Sequence, residues 1–112
     1  MIFFDAPTFT SDRPWGAVDV AQFGPATVRV HWTDAPYRWH VNGGTEVLAV
    51  LHGAVDVHHE EDGARKVRRL HAGQVCCIGA GEAHVVQPAP VARLLIVETD
   101  DPELACAPPG TT

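Results

Sequence analysis

The residues from His40 to Gly53, HVNGGTEVLAVLHG, carry the clearest indication of how this chain folds. His40 and Asn42 are two residues apart, so on a strand both side chains leave the same face. The two glycines that follow Asn42 allow a sharp bend of the backbone. Glu46 then opens an apolar run that is typical of a strand. The pattern predicts two strands on either side of a bend, with polar groups close to it.

The direction of the Glu46 side chain has two interpretations. A solvent-facing carboxylate at the start of a strand is ordinary. Leu48 and Val50 share its parity, however, so Glu46 would point into the interior if they do. A buried carboxylate is costly unless it is paired, hydrogen-bonded or bound to a metal.

His84 follows a second glycine-rich turn, Gly79-Ala80-Gly81-Glu82-Ala83. If His40, Glu46 and His84 converged inside a barrel, they would form a triad of two histidines and one carboxylate with open coordination positions. This donor set suits iron(II), and also manganese, nickel or zinc.

The rest of the chain predicts an all-β fold. Apolar and polar residues alternate in Ala26–Trp32 and in Gly53–His58, and Val91–Glu98 is an apolar run rich in β-branched residues. Ten glycines and nine prolines separate these segments. Short strands with such frequent turn signals indicate a sandwich or a barrel.

One hairpin can be predicted with its register. Asp62-Gly63 is a preferred pair for a two-residue type I′ turn, which needs positive φ at both positions. Pairing outward from this turn places Asp56 opposite Arg69, and such facing opposite charges stabilise a hairpin. The basic residues of 65–69 are therefore interpreted as one solvated side of a hairpin rather than a nucleic-acid patch.

Three segments are predicted. Residues 1–14 form an N-terminal arm whose apolar side chains need a surface to cover, and a second subunit could provide it by arm exchange. Residues 15–98 form the barrel. Residues 99–112 form a short helical turn over Asp100–Leu104, where a capping carboxylate precedes a proline, and then a frayed tail over Ala107–Gly110.

Composition limits the functional classes. The chain has 112 residues, is 46% hydrophobic and carries a net charge of −6. These values favour one globular domain, and the negative charge disfavours nucleic acid and anionic membranes as partners. Its apolar runs are far shorter than the roughly 20 residues of a membrane span. Three cysteines without a pairing pattern and a start without a secretory signal favour the cytoplasm.

Two stretches resemble the motifs of the cupin superfamily, and most closely those of the small single-domain, RmlC-like cupins. The first is His40-x-Asn42-x3-Glu46-x6-Gly53, and the second is Gly73-x5-Gly79-x-Gly81-x2-His84-x3-Pro88. The resemblance implies a double-stranded β-helix, or jelly-roll barrel, over residues 15–98. It also implies a metal in the barrel mouth and, often, a homodimer.

Carried over by position, the implied metal ligands are His40, Glu46 and His84. Asn42 stands where the family usually has its second histidine, and its hard, neutral amide oxygen makes it a weak fourth ligand. Gly79 and Pro88 also replace the usual turn proline and closing asparagine. Weaker metal binding, a different metal or a metal-free polar cluster are the alternatives.

Further residues are candidates for the pocket wall. They neighbour the implied ligands or lie on adjacent strands: His31, Tyr37, Arg38, Trp39 and Gln87. An inward guanidinium would favour an anionic substrate, because it binds carboxylate or phosphate with two hydrogen bonds. A solvated surface position is the alternative for each.

The resulting hypothesis is a cupin-type protein with a divalent transition metal that binds, or acts on, a small organic acid or ring compound. One alternative is a metal-free sugar-type isomerase or epimerase in which a histidine acts as general base. Another is a non-catalytic ligand-binding or sensor protein. The fold alone does not separate these functions.

Overall fold

The computed structural model describes residues 1–99 and 101–108 of the chain. These residues contain one 3-10 helix, Ala6–Thr8, and eight strands. The strands are β1 Gly16–Phe23, β2 Ala26–Thr33, β3 His40–Asn42, β4 Glu46–Glu61, β5 Ala64–His71, β6 Val75–Ile78, β7 His84–Thr99 and β8 Glu103–Ala105. The predicted all-β class is confirmed, and within the described residues no helix could cross a membrane.

The two longest strands, β4 and β7, form the centre of the fold. They pair antiparallel along most of their length, with register shifts between Val50 and His52 and between Gly53 and Val55. The sheet continues from β7 through β2 to β1 on one side and through β3 to β8 on the other, while β4 also pairs with β5 and β6. Because bulges bend a strand and increase its twist, the long strands can take part in both layers of a rolled-up sheet.

The core lies between these layers and follows the period of two. In the first part of β4, Leu48 and Val50 are buried, and they share the parity of Glu46. From β7, Leu94 and Ile96 pack against the same cluster. Glu46 therefore begins a row of inward-facing side chains, and this row sets the direction of its carboxylate.

The β4–β5 hairpin has the predicted register. Asp56 pairs with Arg69, and the guanidinium makes two hydrogen bonds of 2.9 Å to the carboxylate. Arg69 also holds the pKa of Asp56 below its usual value. Asp62 and Gly63 have φ of 54° and 75°, as a type I′ turn requires.

The N-terminal arm ends where β1 begins at Gly16. It carries the short helix Ala6–Thr8, and it is attached to the barrel by a hydrogen bond of 2.8 Å from Arg93 Nε to the carbonyl of Phe9. Ile2 and Phe3 are largely exposed. Exchange of this arm between two subunits stays a prediction.

The prediction of a helical turn over Asp100–Leu104 is wrong for Glu103 and Leu104. Both residues lie in β8, which pairs with β3 so that Asn42 faces Glu103 and Val41 faces Leu104. The edge of β3 offers backbone groups that a short strand can satisfy, whereas a single helical turn is costly to nucleate. Asp100 itself, and Pro109 and Gly110 of the predicted frayed tail, lie outside the described residues.

Candidate metal centre

Three buried side chains from three strands meet at one end of the barrel. His40 lies on β3, Glu46 is the first residue of β4 and His84 is the first residue of β7. Their exposed fractions are 5%, 6% and 2%. One nitrogen or oxygen atom of each lies within 4.8 Å of the other two. The geometry is therefore that of a compact donor cluster shielded from solvent.

Strand pairing and the glycine bend bring these groups together. His40 and His84 are direct partners across the β3–β7 pair. Between β3 and β4 the chain turns at Gly43 and Gly44, where a Cβ atom would collide with the segment that follows β7. At Gly43 that atom would lie 2.8 Å from the carbonyl oxygen of Pro102. Glycine is needed here for close backbone approach, which positions Glu46 opposite the two histidines.

Both imidazoles are held in the tautomer that suits metal binding. Nδ1 of His40 lies 2.8 Å from the carbonyl of Arg38, and Nδ1 of His84 lies 2.8 Å from the carbonyl of Glu82. A carbonyl only accepts, so each Nδ1 carries the proton and each Nε2 keeps its lone pair. Burial also lowers the pKa of His84, which favours its neutral form.

The spacing of the donor atoms fits an ion between them. His84 Nε2 lies 3.9 Å from Glu46 Oε1, too far for a hydrogen bond, and the rings of His40 and His84 have centroids 4.3 Å apart. Metal–ligand bonds of about 2.0–2.2 Å place two ligands of one ion roughly 2.8–4.4 Å apart. His84 Nε2 and Glu46 Oε1 are thus separated by the distance that a cation bound to both atoms would bridge.

Glu46 faces the interior, so the inward alternative is the one observed. Its hydrogen-bond donor among the described residues is the amide nitrogen of Asn42, at 2.7 Å. A neutral amide does not compensate a buried negative charge, whose desolvation costs several kcal/mol. The contact uses the amide nitrogen of Asn42, so the predicted role of its amide oxygen as a weak fourth ligand stays a prediction.

A cavity of about 210 Å³ opens beside the three donors. Its wall combines aromatic, aliphatic and titratable side chains. They are Trp15, His31, Tyr37, His40, Glu46, Leu48, His84, Val86, Ile96, Glu98 and Glu103. The structure therefore brings the predicted wall residues His31 and Tyr37 to the same cavity as the donor cluster.

His31 presents an unpartnered nitrogen in this wall. Its Nδ1 lies 3.1 Å from the carbonyl of Trp15, whereas Nε2 is buried and has no hydrogen-bond partner among the described residues. Burial lowers the pKa of His31 below its usual value. The neutral ring therefore offers an acceptor lone pair in a mainly apolar part of the wall.

Glu103 is a cavity residue that the sequence analysis missed. Its Oε1 accepts hydrogen bonds from the Tyr37 hydroxyl and, at 2.7 Å, from Arg38 Nη2, while Oε2 lies 3.7 Å from His40 Nε2. Burial, together with the hydrogen bond to Glu103, raises the pKa of Tyr37 to about 12. For Glu103 the effect of burial is outweighed by the hydrogen bond from Tyr37 and the nearby positive charges, so its pKa is lowered.

Glu98 is a second missed carboxylate. It lies on β7, and its pKa is raised by burial and by repulsion from Glu46 and Glu103. No Lys or Arg side chain lines this cavity in the described part of the chain. The cavity is therefore acidic, and an added cation would relieve the repulsion.

Three predicted wall residues lie outside the cavity lining. Gln87 and Trp39 have the opposite parity to His84 and His40, so their side chains leave the other face of the chain. Gln87 accepts from His58 at 3.1 Å, and Trp39 lies beneath the guanidinium of Arg65. Arg38 precedes β3, and its exposed side chain turns to Glu103, which corresponds to the solvated alternative.

Comparison with known proteins identifies the fold. No family model matches the sequence, and no curated protein matches it. The structure is similar to a cupin-2 domain protein from Shewanella frigidimarina, with 18% identity, a TM-score of 0.70 and coverage of 80% of this chain and 84% of that one. It is also similar to a double-stranded β-helix protein from Klebsiella pneumoniae, with 15% identity, a TM-score of 0.74 and coverage of 93% and 90%.

A third similar structure has a bound metal. It is a hydroquinone 1,2-dioxygenase in complex with Cd²⁺ and 4-hydroxybenzonitrile, with 16% identity, a TM-score of 0.67 and coverage of 81% of this chain and 68% of that one. At these identities the similarity establishes the fold. The predicted double-stranded β-helix of the small cupins is confirmed.

Proposed function

We propose that this cupin-fold chain is a metal-dependent enzyme that binds a divalent transition metal through His40, Glu46 and His84 and acts on a small ring compound. The observation that carries the proposal is the buried cluster of three donor atoms lying within 4.8 Å of one another. Iron, manganese, nickel and zinc all accept two imidazoles and a carboxylate. When bound, such an ion polarises a substrate oxygen as a Lewis acid.

The size and charge of the cavity favour an uncharged ring over an organic acid. An apolar cavity of roughly 150 Å³ can hold benzene, so about 210 Å³ suits a single ring. Trp15 and Tyr37 contribute aromatic surface, with their rings edge to face at 5.6 Å. A divalent ion would balance two of the three carboxylates Glu46, Glu98 and Glu103, so the remaining acidic group still disfavours a carboxylate ligand. A ring with a neutral hydroxyl group, as in the 4-hydroxybenzonitrile of the dioxygenase complex, meets these conditions.

Polar groups other than the three proposed ligands favour catalysis over passive binding. His31, Tyr37 and Glu98 also line the cavity. Convergent polar groups in an otherwise apolar pocket are typical of sites that orient a substrate. A sugar-phosphate isomerase is less well supported, because it would need an inward cation and Arg38 is paired with Glu103 outside the lining.

Metal content tests the first part of the proposal. Untagged protein, purified without chelators and then supplemented with each metal in turn, is measured by elemental analysis and calorimetry. We expect close to one ion per chain in wild type and in His71→Ala, which removes an exposed histidine of β5. His40→Ala and His84→Ala should lose most of the binding. If wild type takes up no metal, or if all variants bind equally, the proposal fails.

Substrate class is tested on the metal-loaded protein. Single-ring phenols and small dicarboxylates are compared for binding by calorimetry and for turnover by product analysis. We expect the phenols to bind more tightly and some of them to be converted. Preferential binding of the dicarboxylates would contradict the argument from cavity charge.

A further inference from the structure

We propose that Glu103, on the C-terminal strand β8, is a fourth protein ligand of the metal centre and supplies the charged oxygen that the neutral amide of Asn42 lacks. This inference rests on the proposed function, since it presupposes that His40, Glu46 and His84 bind a metal. It adds a ligand that lies outside both sequence motifs and comes from a different strand.

Distance supports the assignment. Glu103 Oε2 lies 3.7 Å from His40 Nε2, close to the 3.9 Å that separates His84 Nε2 from Glu46 Oε1. Both separations exceed a hydrogen bond and fall within the roughly 2.8–4.4 Å expected between two ligands of one ion. Each histidine therefore faces a carboxylate oxygen at such a distance, and Glu103, which lies outside the group of three donors within 4.8 Å of one another, would have to approach them to share one ion.

The other oxygen of Glu103 is already fixed. Tyr37 and Arg38 both donate to Oε1, whereas Oε2 has no hydrogen-bond donor among the described residues. Ligating carboxylates are commonly held by such outer hydrogen bonds. Arg38 also accepts from His40 through its backbone carbonyl, at 2.8 Å. One residue thus orients two of the four proposed ligands.

Strand pairing explains why Glu103 can replace a ligand at position 42. Asn42 and Glu103 are direct partners in the β3–β8 pair. Directly opposite residues on antiparallel strands project to the same side, with Cβ atoms about 4.5–5.5 Å apart. The Asn42 amide nitrogen donates to Glu46, so only the hard, neutral amide oxygen of this side chain remains as a donor to an ion. Glu103 therefore presents a charged carboxylate next to a position that offers only a weak ligand.

Charge supports the same assignment. Glu46 belongs to the donor cluster, and Glu103 lies beside it with its side chain only about one-third exposed. The guanidinium of Arg38 contacts Oε1 of Glu103 from outside the cavity, so no cation stands between the two acids. A divalent ion between them would balance two negative charges, with the two neutral histidines completing the set.

The test compares carboxylate variants by Co²⁺ titration, following affinity by calorimetry and coordination by the visible absorption of the ion. Glu103→Gln removes the charge and the proposed ligand. Glu103→Asp keeps the charge but withdraws the oxygen. Glu98→Gln is the matched control, because it removes a negative charge from the same cavity wall without removing a proposed ligand.

We expect both Glu103 variants to lose affinity by about 10- to 100-fold and to change the Co²⁺ spectrum, with a smaller loss and an unchanged spectrum for Glu98→Gln. The inference is overturned, and the three-ligand centre stands, if the Glu103 variants keep the wild-type spectrum and bind no more weakly than Glu98→Gln. If wild type itself binds no metal, the proposed function fails first. Glu103→Asp keeps the test decisive if Glu103→Gln does not fold.

Discussion

At the scale of single residues, the same local contact prepares both histidines of the centre. His40 and His84 each donate from Nδ1 to the carbonyl two residues earlier in the chain. In an extended segment this carbonyl is within reach of the ring, so the neighbouring backbone rather than a distant side chain selects the tautomer. Both Nε2 atoms are consequently free to act as ligands, and no carboxylate side chain is needed to accept the proton on Nδ1.

His31 predicts a pH dependence of stability in the metal-free protein. Burial lowers its pKa in the folded state, whereas in the unfolded chain its pKa is about 6.5. As the pH falls through that value, the unfolded chain takes up a proton that the folded protein refuses. The free energy of unfolding should therefore decrease below about pH 6.5 until the folded pKa is reached.

Urea unfolding at a series of pH values, in the presence of a chelator, measures this effect. His31→Asn should lose stability less steeply between about pH 7 and 5 than wild type does. Part of the slope should remain, because the pKa of His84 is also lowered by burial. The control His71→Asn changes an exposed ring and should follow wild type. Equal slopes in wild type and His31→Asn would refute the prediction.

The residues found from the sequence are those whose signal is local. The three donor residues lie a few positions from glycine-rich turns, and this spacing is visible in the sequence itself. They are His40, Glu46 and His84. Glu103 had no such signal, since its position depends on the pairing of β8 with β3, more than 60 residues away along the chain. The hydrogen bond from Asn42 to Glu46 could not be predicted from the sequence either, because it depends on which atom of the amide faces Glu46.

At the scale of elements, β4 depends on one glycine. Gly53 has φ of +80° and lies at the irregularity where the register of β4 against β7 shifts. A Cβ atom there would collide with the carbonyl of Val91 on β7. Glycine is thus required at position 53 for steric reasons, because the absence of a Cβ atom lets the bent strand β4 stay close to β7.

We expect Gly53→Ala to destabilise the protein more than an alanine at an open left-handed position. Gly24 has φ of +55° and no atom within 4 Å of an added Cβ, so Gly24→Ala should cost about 1–2 kcal/mol. In Gly53→Ala the collision with β7 should add about 1–3 kcal/mol. Equilibrium urea unfolding measures the difference, and equal losses for the two variants would contradict this reading of the bulge.

Element predictions succeeded where turn chemistry determined them. Asp62-Gly63 fixed the β4–β5 hairpin, because two positive φ values allow one turn type and one register. The prediction of a helical turn around Glu103 was wrong because a long-range contact, and not the local sequence, determines the structure there. Asp-Pro is a helix-start signal of one turn, and the long-range pairing with β3 overrode it.

At the scale of the whole molecule, the donor cluster is buried inside one chain, whereas the apolar arm exposes surface that a second chain could cover. The cluster lies inside the barrel, and its three donor residues all belong to one chain. The arm carries Ile2, Phe3 and Phe4, with exposed fractions of 75%, 85% and 40%. It runs beside a groove of about 240 Å³ that is also lined by Val18 and Val30 of β1 and β2. Contiguous exposed apolar surface of this kind is typical of an interface.

A second copy of this chain is the proposed occupant. In a two-fold dimer the exposed tip of each arm, Ile2 and Phe3, would pack against the other subunit, and β1, at the edge of the sheet, lies next to the groove that the arm lines. We predict that light scattering after size exclusion gives twice the chain mass of 12.1 kDa at micromolar concentration. A strictly monomeric wild type would rule the dimer out.

The paired variant Ile2→Ser/Phe3→Ser should shift the protein towards the monomer, because it removes the apolar surface that the arm would bury. The control Val67→Ser changes an exposed apolar residue of β5, which is 55% exposed and is not part of the arm or its groove, and it should remain dimeric. Dissociation by both variants would show that the interface lies elsewhere or is unspecific. Since the proposed metal ligands all come from one chain, the monomeric variant should still bind one ion per chain, which separates assembly from the chemistry of the centre.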